Sequence, residues 1–159
     1  VVAWLSVAAG LLVAIVSVGP AGASPPAASI HGAGNVFYPD FPEPGTSTTE
    51  RVIINASLLP SGQPGGSILL LSPFGFTKAD VTCIRVVGDT IYVGGSLVPG
   101  FDFYRGETFA QIAFGVRDGM PDVVASAIFR RADLNTCDVL SGFPPIFAVS
   151  EGNFVVSAF

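Results

Sequence analysis

The chain is short of the residues that carry most protein chemistry. In 159 residues it has one histidine, one tryptophan, one methionine and two cysteines. A Ser-His-Asp triad would have to use His31, and no G-x-S-x-G elbow is present. Metal sites need several His, Cys or carboxylate ligands converging, so only loop carboxylates are left to consider. Charge is scarce too. Seven Lys and Arg stand against twelve Asp and Glu, for a net charge of −5. The arginines are scattered apart from Arg130-Arg131, and a strand would send that pair to opposite faces. This balance argues against nucleic acid and against an anionic membrane surface as partners. No window keeps a 3.6-residue apolar period, which argues against a helical fold, and no internal repeat is present beyond strand periodicity.

What is present is apolar. Half of the residues are hydrophobic, and residues 1–18 (VVAWLSVAAGLLVAIVSV) carry no charge. Gly19-Pro20 breaks that run and Ala21-Gly22-Ala23 follows. Small residues at the first and third of those positions match a signal-peptidase site, with Ser24 as the new N-terminus. A basic n-region and an initiator Met are missing. The rival reading is a retained anchor, since 18 apolar residues are the lower limit for a spanning helix; the Pro-Ala-Gly-Ala ending favours cleavage. No Cys follows the run, which argues against a lipoprotein. The expected organisation is a signal peptide over 1–23, a Pro-rich linker over 24–29 and one β domain over 30–159. The mature protein is then secreted, with no membrane contact after the leader is removed.

The stretch over residues 80–95 (DVTCIRVVGDTIYVGG) organises the rest. Two apolar runs flank Gly88-Asp89, a two-residue hairpin turn. Counting outward, Val86 faces Ile91, Arg85 faces Tyr92, Ile84 faces Val93, Cys83 faces Gly94 and Thr82 faces Gly95. Faces alternate along a strand, so Thr82, Ile84, Val86, Ile91, Val93 and Gly95 are expected inward, with Cys83, Arg85 and Tyr92 outward. Arg85 either stacks on Tyr92 or is a solvated outer charge. Residues 50–59 alternate as well, with Val52, Ile54, Ala56 and Leu58 on one face, and so do residues 107–118, with Ala110, Ile112, Phe114 and Val116 inward and Phe109, Gln111 and Arg117 outward. Residues 29–38 and 123–131 read as strands, the latter with Val123, Ala125, Ala127 and Phe129 on one face. Residues 67–74 read as a buried strand, residues 75–79 as a connection to the hairpin, and residues 146–149 and 151–159 as two last extended pieces. Residues 132–145 are irregular, with room for one helical turn. Short strands at this spacing mean an all-β antiparallel domain of about eight strands, a sandwich or an up-and-down barrel that closes if the last strand pairs near the first. Two cysteines in an exported chain are usually paired, which predicts a Cys83–Cys137 disulfide on the outer face of the hairpin; two free thiols are the alternative.

The hairpin CIRVVGDTIYVGG is similar to the C-L-x-V-x-G-N-x-A-x-I-x-G motif of a family of uncharacterised secreted β-proteins from actinobacteria. The resemblance extends to Gly32-Ala33-Gly34, to Val116 with Asp118, Gly119, Pro121 and Asp122, to Cys137, and to Glu151-Gly152-Asn153-Phe154-Val155. Asn35 stands where that family often has His, and the acidic loop is shortened. The resemblance implies the fold and an exported location, not an activity.

Several features are candidates for a site. Asp118 and Asp122 flank one turn, and Asp133 and Asp138 lie in another loop; either pair can be a weak Ca²⁺ site or simply solvated loop charge. Asn55-Ala56-Ser57 is formally a glycosylation sequon or an outward polar stretch. Phe101, Phe103, Tyr104 and Phe109 line a ligand mouth, a partner surface or a core. No cofactor is expected. Three functions stay open: a non-enzymatic domain that binds a protein or small ligand, a carrier of a small apolar ligand if the strands close around a cavity, and a carboxylate-based hydrolase.

Overall fold

The computed structural model describes residues 28–41, 43–104 and 106–158. The expected leader and residues 24–27 of the expected linker lie outside the described residues. The elements in chain order are β1 (Ala28–Pro39), β2 (Ser47–Leu58), β3 (Pro64–Ser72), β4 (Gly75–Val87), β5 (Thr90–Leu97), β6 (Phe103–Tyr104), β7 (Glu107–Thr108), β8 (Gln111–Arg117), β9 (Val123–Phe129), α1 (Thr136–Leu140) and β10 (Phe147–Ala158). Eight of the strands form one closed barrel in the order β1-β10-β9-β8-β5-β4-β3-β2, while β6 and β7 pair only with each other. Every barrel neighbour but one follows in sequence, so the chain is an up-and-down meander closed by β10 against β1. It is a barrel and not a sandwich. Closure removes the free sheet edges that an open meander would expose.

Alternation builds the interior. In β2, Thr48, Glu50, Val52, Ile54 and Ala56 are all buried, whereas Ser47, Thr49, Arg51 and Asn55 are exposed. Ile30, Val36, Ile68, Leu70, Ile91, Val93, Ile112, Phe114, Val116, Val124 and Phe154 complete one apolar cluster within the barrel. Each fully buried Val, Leu, Ile or Phe contributes about 1.5–3 kcal/mol, and a closed interior lets every strand contribute. No helix among the described residues is long and apolar enough to cross a membrane.

The central hairpin has the expected register from Cys83 to Val87 against Gly94 to Thr90. Its turn has a positive φ of 60° at Gly88 and none at Asp89, the pattern of a type II′ turn with glycine first. Thr82 corrects the expectation. A bulge between Val81 and Cys83 pairs Val81, not Thr82, with Gly95. Thr82 is exposed and Val81 joins the core, because an extra residue reverses the inward parity of the strand. Val86 keeps inward parity but is 41% exposed, since it lies at the rim beside the turn.

Other expectations also need correction. Residues 75–79 are not a connection: they are the first part of β4 and pair with β3 from Ser72 back to Ile68. In β3 the apolar run is buried on one face only, with Leu71 39% exposed. The two last extended pieces are one strand, Phe147–Ala158, with an irregularity opposite Asn35 and Val36. The first strand begins at Ala28, so Ala28 and Ser29 are buried in the barrel wall and are not linker. Ala28 pairs with Ala158, which brings the two ends of the described chain together.

The segment between β9 and β10 forms a strap over the outside of the barrel. Asn135 caps α1, its side chain accepting the Asp138 N–H. The helix buries Cys137 and Leu140 against Tyr92, Ala113 and Ala125, a second apolar cluster outside the wall. Cys83 and Cys137 are disulfide-bonded, with Cα atoms 6.1 Å apart, on the outer face as expected. Gly94 makes the close approach possible: a Cβ there would lie 2.0 Å from Thr136 Oγ1 and 2.9 Å from Cys83 Sγ. Arg85 pairs with Asp138 of the strap instead of standing alone in solvent. Tyr92 Oη donates to the Phe143 carbonyl at 3.2 Å, and burial, then Asp89, push the Tyr92 phenol up. Gln111 points outward as expected but is buried under the strap, donating to the Leu134 carbonyl at 3.1 Å.

Candidate functional site

The two poles of the barrel differ. One carries short turns at residues 59–63, 88–89 and 118–122, with Ala28 and Ala158 beside them. The other carries the longer connections, at residues 40–46, 98–110 and 130–146, and is the mouth.

Aromatic rings collar that mouth. Phe147 meets Tyr38 edge-on with centroids 4.7 Å apart, and Tyr38 meets Phe41 at 6.0 Å. Phe41 reaches Phe74 at 6.4 Å, Phe74 reaches Tyr104 at 6.0 Å, and Tyr104 reaches Phe109 at 6.2 Å. Arg130 closes the series 5.8 Å from the Phe109 ring centre and also pairs with Glu107. Edge-to-face contacts of this kind are worth about 0.5–1.5 kcal/mol each, so the collar is a built feature. Five different connections or strand ends supply its rings.

Beneath the collar lies a cavity of about 220 Å³ lined by Tyr38, Phe41, Glu50, Leu70, Tyr104, Ile112, Phe114, Ser126, Ala127, Ile128 and Phe147. A second space of about 250 Å³ adjoins it and shares Phe41, Tyr104 and Ile128, with Glu107 and Phe109 at its rim. The polar groups are few. Glu50 is 4% exposed and accepts the Tyr104 hydroxyl. Tyr38 Oη is buried and, among the described residues, completes no hydrogen bond of good geometry, with Ser126 its nearby hydroxyl. Burial drives the Tyr38 phenol far above its ordinary value; Ser126 beside it lowers it, and the Glu50 charge raises it further. Tyr38 therefore keeps its proton at every physiological pH.

The cavity reaches the outside between β9 and β10. These strands pair only at Phe147 with Val124 and Ala148 with Val123, extended by Ile146 N–H to the Val124 carbonyl at 3.0 Å and Val149 N–H to the Asp122 carbonyl at 2.9 Å. Beyond Val124 toward the mouth, β9 has no strand partner on that side among the described residues. Ala127 records the consequence. Its side chain packs against the outer cluster, yet it also lines the cavity. A residue can do both only where the wall is open.

The candidates named from the sequence fall elsewhere. Asp118 is exposed at the pole opposite the mouth, and Asp122 is buried there. Both Asp122 oxygens accept backbone N–H groups, from Gly119 at 2.9 Å and from Phe154 at 2.6 Å. Asp122 thus acts as a clamp between the turn and β10. Asp133 accepts from two of the guanidinium nitrogens of Arg131, Nε at 3.0 Å and Nη2 at 2.7 Å. That hydrogen bonding holds the Asp133 carboxyl below its usual range and raises Arg131. Asp138 is taken by Arg85. Among the described residues, no three His, Cys, Asp or Glu side chains come together as metal ligands. His31 is exposed on the outer wall, sharing a 2.7 Å hydrogen bond with Asn55 of the sequon. Of the predicted aromatics, Tyr104 and Phe109 are at the mouth, whereas Phe101 stacks on Phe76 with centroids 5.2 Å apart. The outward expectation for Phe109 does not hold: it precedes β8, and its ring leans over the barrel core.

Glu50, Tyr38 and Ser126 were not legible as site residues. For Glu50 the alternation through Val52, Ile54 and Ala56 carried the information, since it places Glu50 on the inward face. No family model, no curated protein and no solved structure matches the chain.

Proposed function

We propose that this domain is an exported, non-catalytic binding protein that holds a small, mostly apolar molecule in the mouth of its barrel. The cavity is the observation that carries this reading: aromatic and aliphatic walls, a few convergent polar groups, and an opening to solvent, which is the usual composition of a ligand site. At about 220 Å³ it is small. An apolar cavity of about 150 Å³ takes benzene, so the ligand is a ring compound of that order with one or two substituents. Among the described residues, Glu50 is the carboxylate that lines the cavity and Glu107 at the rim pairs with Arg130, whereas a two-carboxylate hydrolase uses two acids facing each other across the site. Export rests on the apolar leader with its Ala21-Gly22-Ala23 site and on a disulfide, which persists in oxidising compartments. Kinship with the actinobacterial secreted β-proteins is part of the same proposal.

The test is native mass spectrometry of protein purified from culture supernatant, together with titration by small aromatic probes. A mature N-terminus at Ser24 and saturable binding that Ala127→Trp abolishes without unfolding support the reading. Binding that is absent, or unaffected by filling the opening, overturns it.

A further inference from the structure

Resting on that reading, we infer that the cavity recognises a neutral ring compound through a hydroxyl group, received by Tyr38 and Ser126 at the open seam between β9 and β10. Among the described residues, Tyr38 Oη is a buried hydroxyl that completes no hydrogen bond of good geometry, although the Ser126 side chain is near enough to act on the phenol as a hydrogen-bond partner, and it lies in the wall of an apolar cavity. Buried polar groups are nearly always satisfied in native proteins, and an exception calls for an explanation, such as a bound group that completes what Ser126 alone does not. Ser126 lines the same cavity from β9 and is only half-buried, so its hydroxyl can meet an incoming group. The two residues come from opposite sides of the seam, Tyr38 from β1 and Ser126 from β9, so a ligand oxygen placed between them bridges the opening. A hydroxyl suits both because it donates and accepts at once. The ring then lies among Phe41, Ile128 and Phe147, which line the same space. A site that leaves a buried hydroxyl unmet discriminates against the analogue lacking the ligand oxygen.

The experiment compares p-cresol with toluene by NMR titration of the full chain, in wild type, Tyr38→Phe and Ser126→Ala. Wild type should prefer p-cresol by about tenfold, the ratio corresponding to one well-formed hydrogen bond. Tyr38→Phe should cut that preference to about threefold or less. Ser126→Ala, a smaller change at a half-exposed position, should reduce it in the same direction and keeps the test open if Tyr38→Phe does not fold. Equal binding of the two compounds to wild type, or a preference that survives both substitutions, overturns the inference and leaves the binding function standing. Failure of both compounds to bind overturns the two together.

Discussion

Strand β10 has two neighbours and treats them differently. Against β1 it pairs from Ala28 opposite Ala158 to Val36 opposite Val149, almost its whole length. Against β9 it pairs at two positions and then parts. The long seam is a ladder interrupted only by the irregularity at Asn35 and Val36, and its stability comes from backbone hydrogen bonds and the side chains packed across them. At the short seam the strap that joins the two strands packs over β4, β5, β8 and β9, and the buried Asp122 ties β10 to the turn at the seam's foot. A barrel can therefore be topologically closed and still have a window, provided something other than the ladder carries the load where the ladder stops.

Removing the disulfide should disturb this arrangement most. In Cys83→Ser/Cys137→Ser, the chain-entropy model for a loop with a sequence separation of 54 predicts a loss on the order of 4 kcal/mol. Thermal or urea unfolding measures it, and hydrogen exchange should rise more in β9 and α1 than in β1. Uniform exchange in both seams would mean that the strap does not hold the window.

Asp122→Ala comes next. It strips two backbone N–H groups, of Gly119 and Phe154, of their charged acceptor, which predicts a loss of about 2–3 kcal/mol in urea unfolding. Asp118→Ala is the matched control and should be near neutral, because Asp118 is exposed.

In the native protein, the amides of Ser126 and Ile128 should exchange at least about tenfold faster than those of β1 paired to β10, since local opening costs least where the ladder is missing. Comparable protection would close the window and remove the contrast. Alkaline pH tests the same place through Tyr38, whose ring meets Phe147 edge-on beside the open seam. Its folded-state value is raised above the unfolded one. The unfolded chain therefore releases this proton first, and stability is full below about pH 10 and falls as pH rises beyond it. Tyr38→Phe should flatten that decline; an unchanged profile would assign it to another group. The smallest effect is expected from Arg85→Ala, because the Arg85–Asp138 pair is about half exposed on both sides and such pairs contribute about 1 kcal/mol or less.

The antiparallel meander was legible because alternation and turn chemistry are local; its closure into a barrel rather than a sandwich was not. The Gly88-Asp89 turn fixed the hairpin register, and inward residues of β2 and β8 could be read at every second position. The bulge at Thr82 was not, because Val81 and Thr82 are both good strand residues and either can face the core. The first part of β4 was missed for a related reason. Its inward residues Thr77 and Ala79 are small, and its outward Phe76 and Lys78 resemble a loop. The site itself depends on distance in sequence. Tyr38, Glu50, Tyr104 and Ser126 come from separate strands, and nothing near any one of them refers to the others. The acidic turn at Asp118 and Asp122 looked like chemistry for the opposite reason, a local cluster whose buried member is occupied by the backbone.

The pairing of Ala28 with Ala158 has a consequence for how the molecule would be presented. Both ends of the described residues lie at the pole away from the aromatic collar. Anything joined to the chain at either end, whether a tether to a cell envelope or a linker to a chip surface, would hold the protein by its base with the mouth turned outward. Fusion at both ends at once would leave that orientation unchanged, and a permuted chain that joined them and opened at residues 59–63 would keep its new ends at the same base.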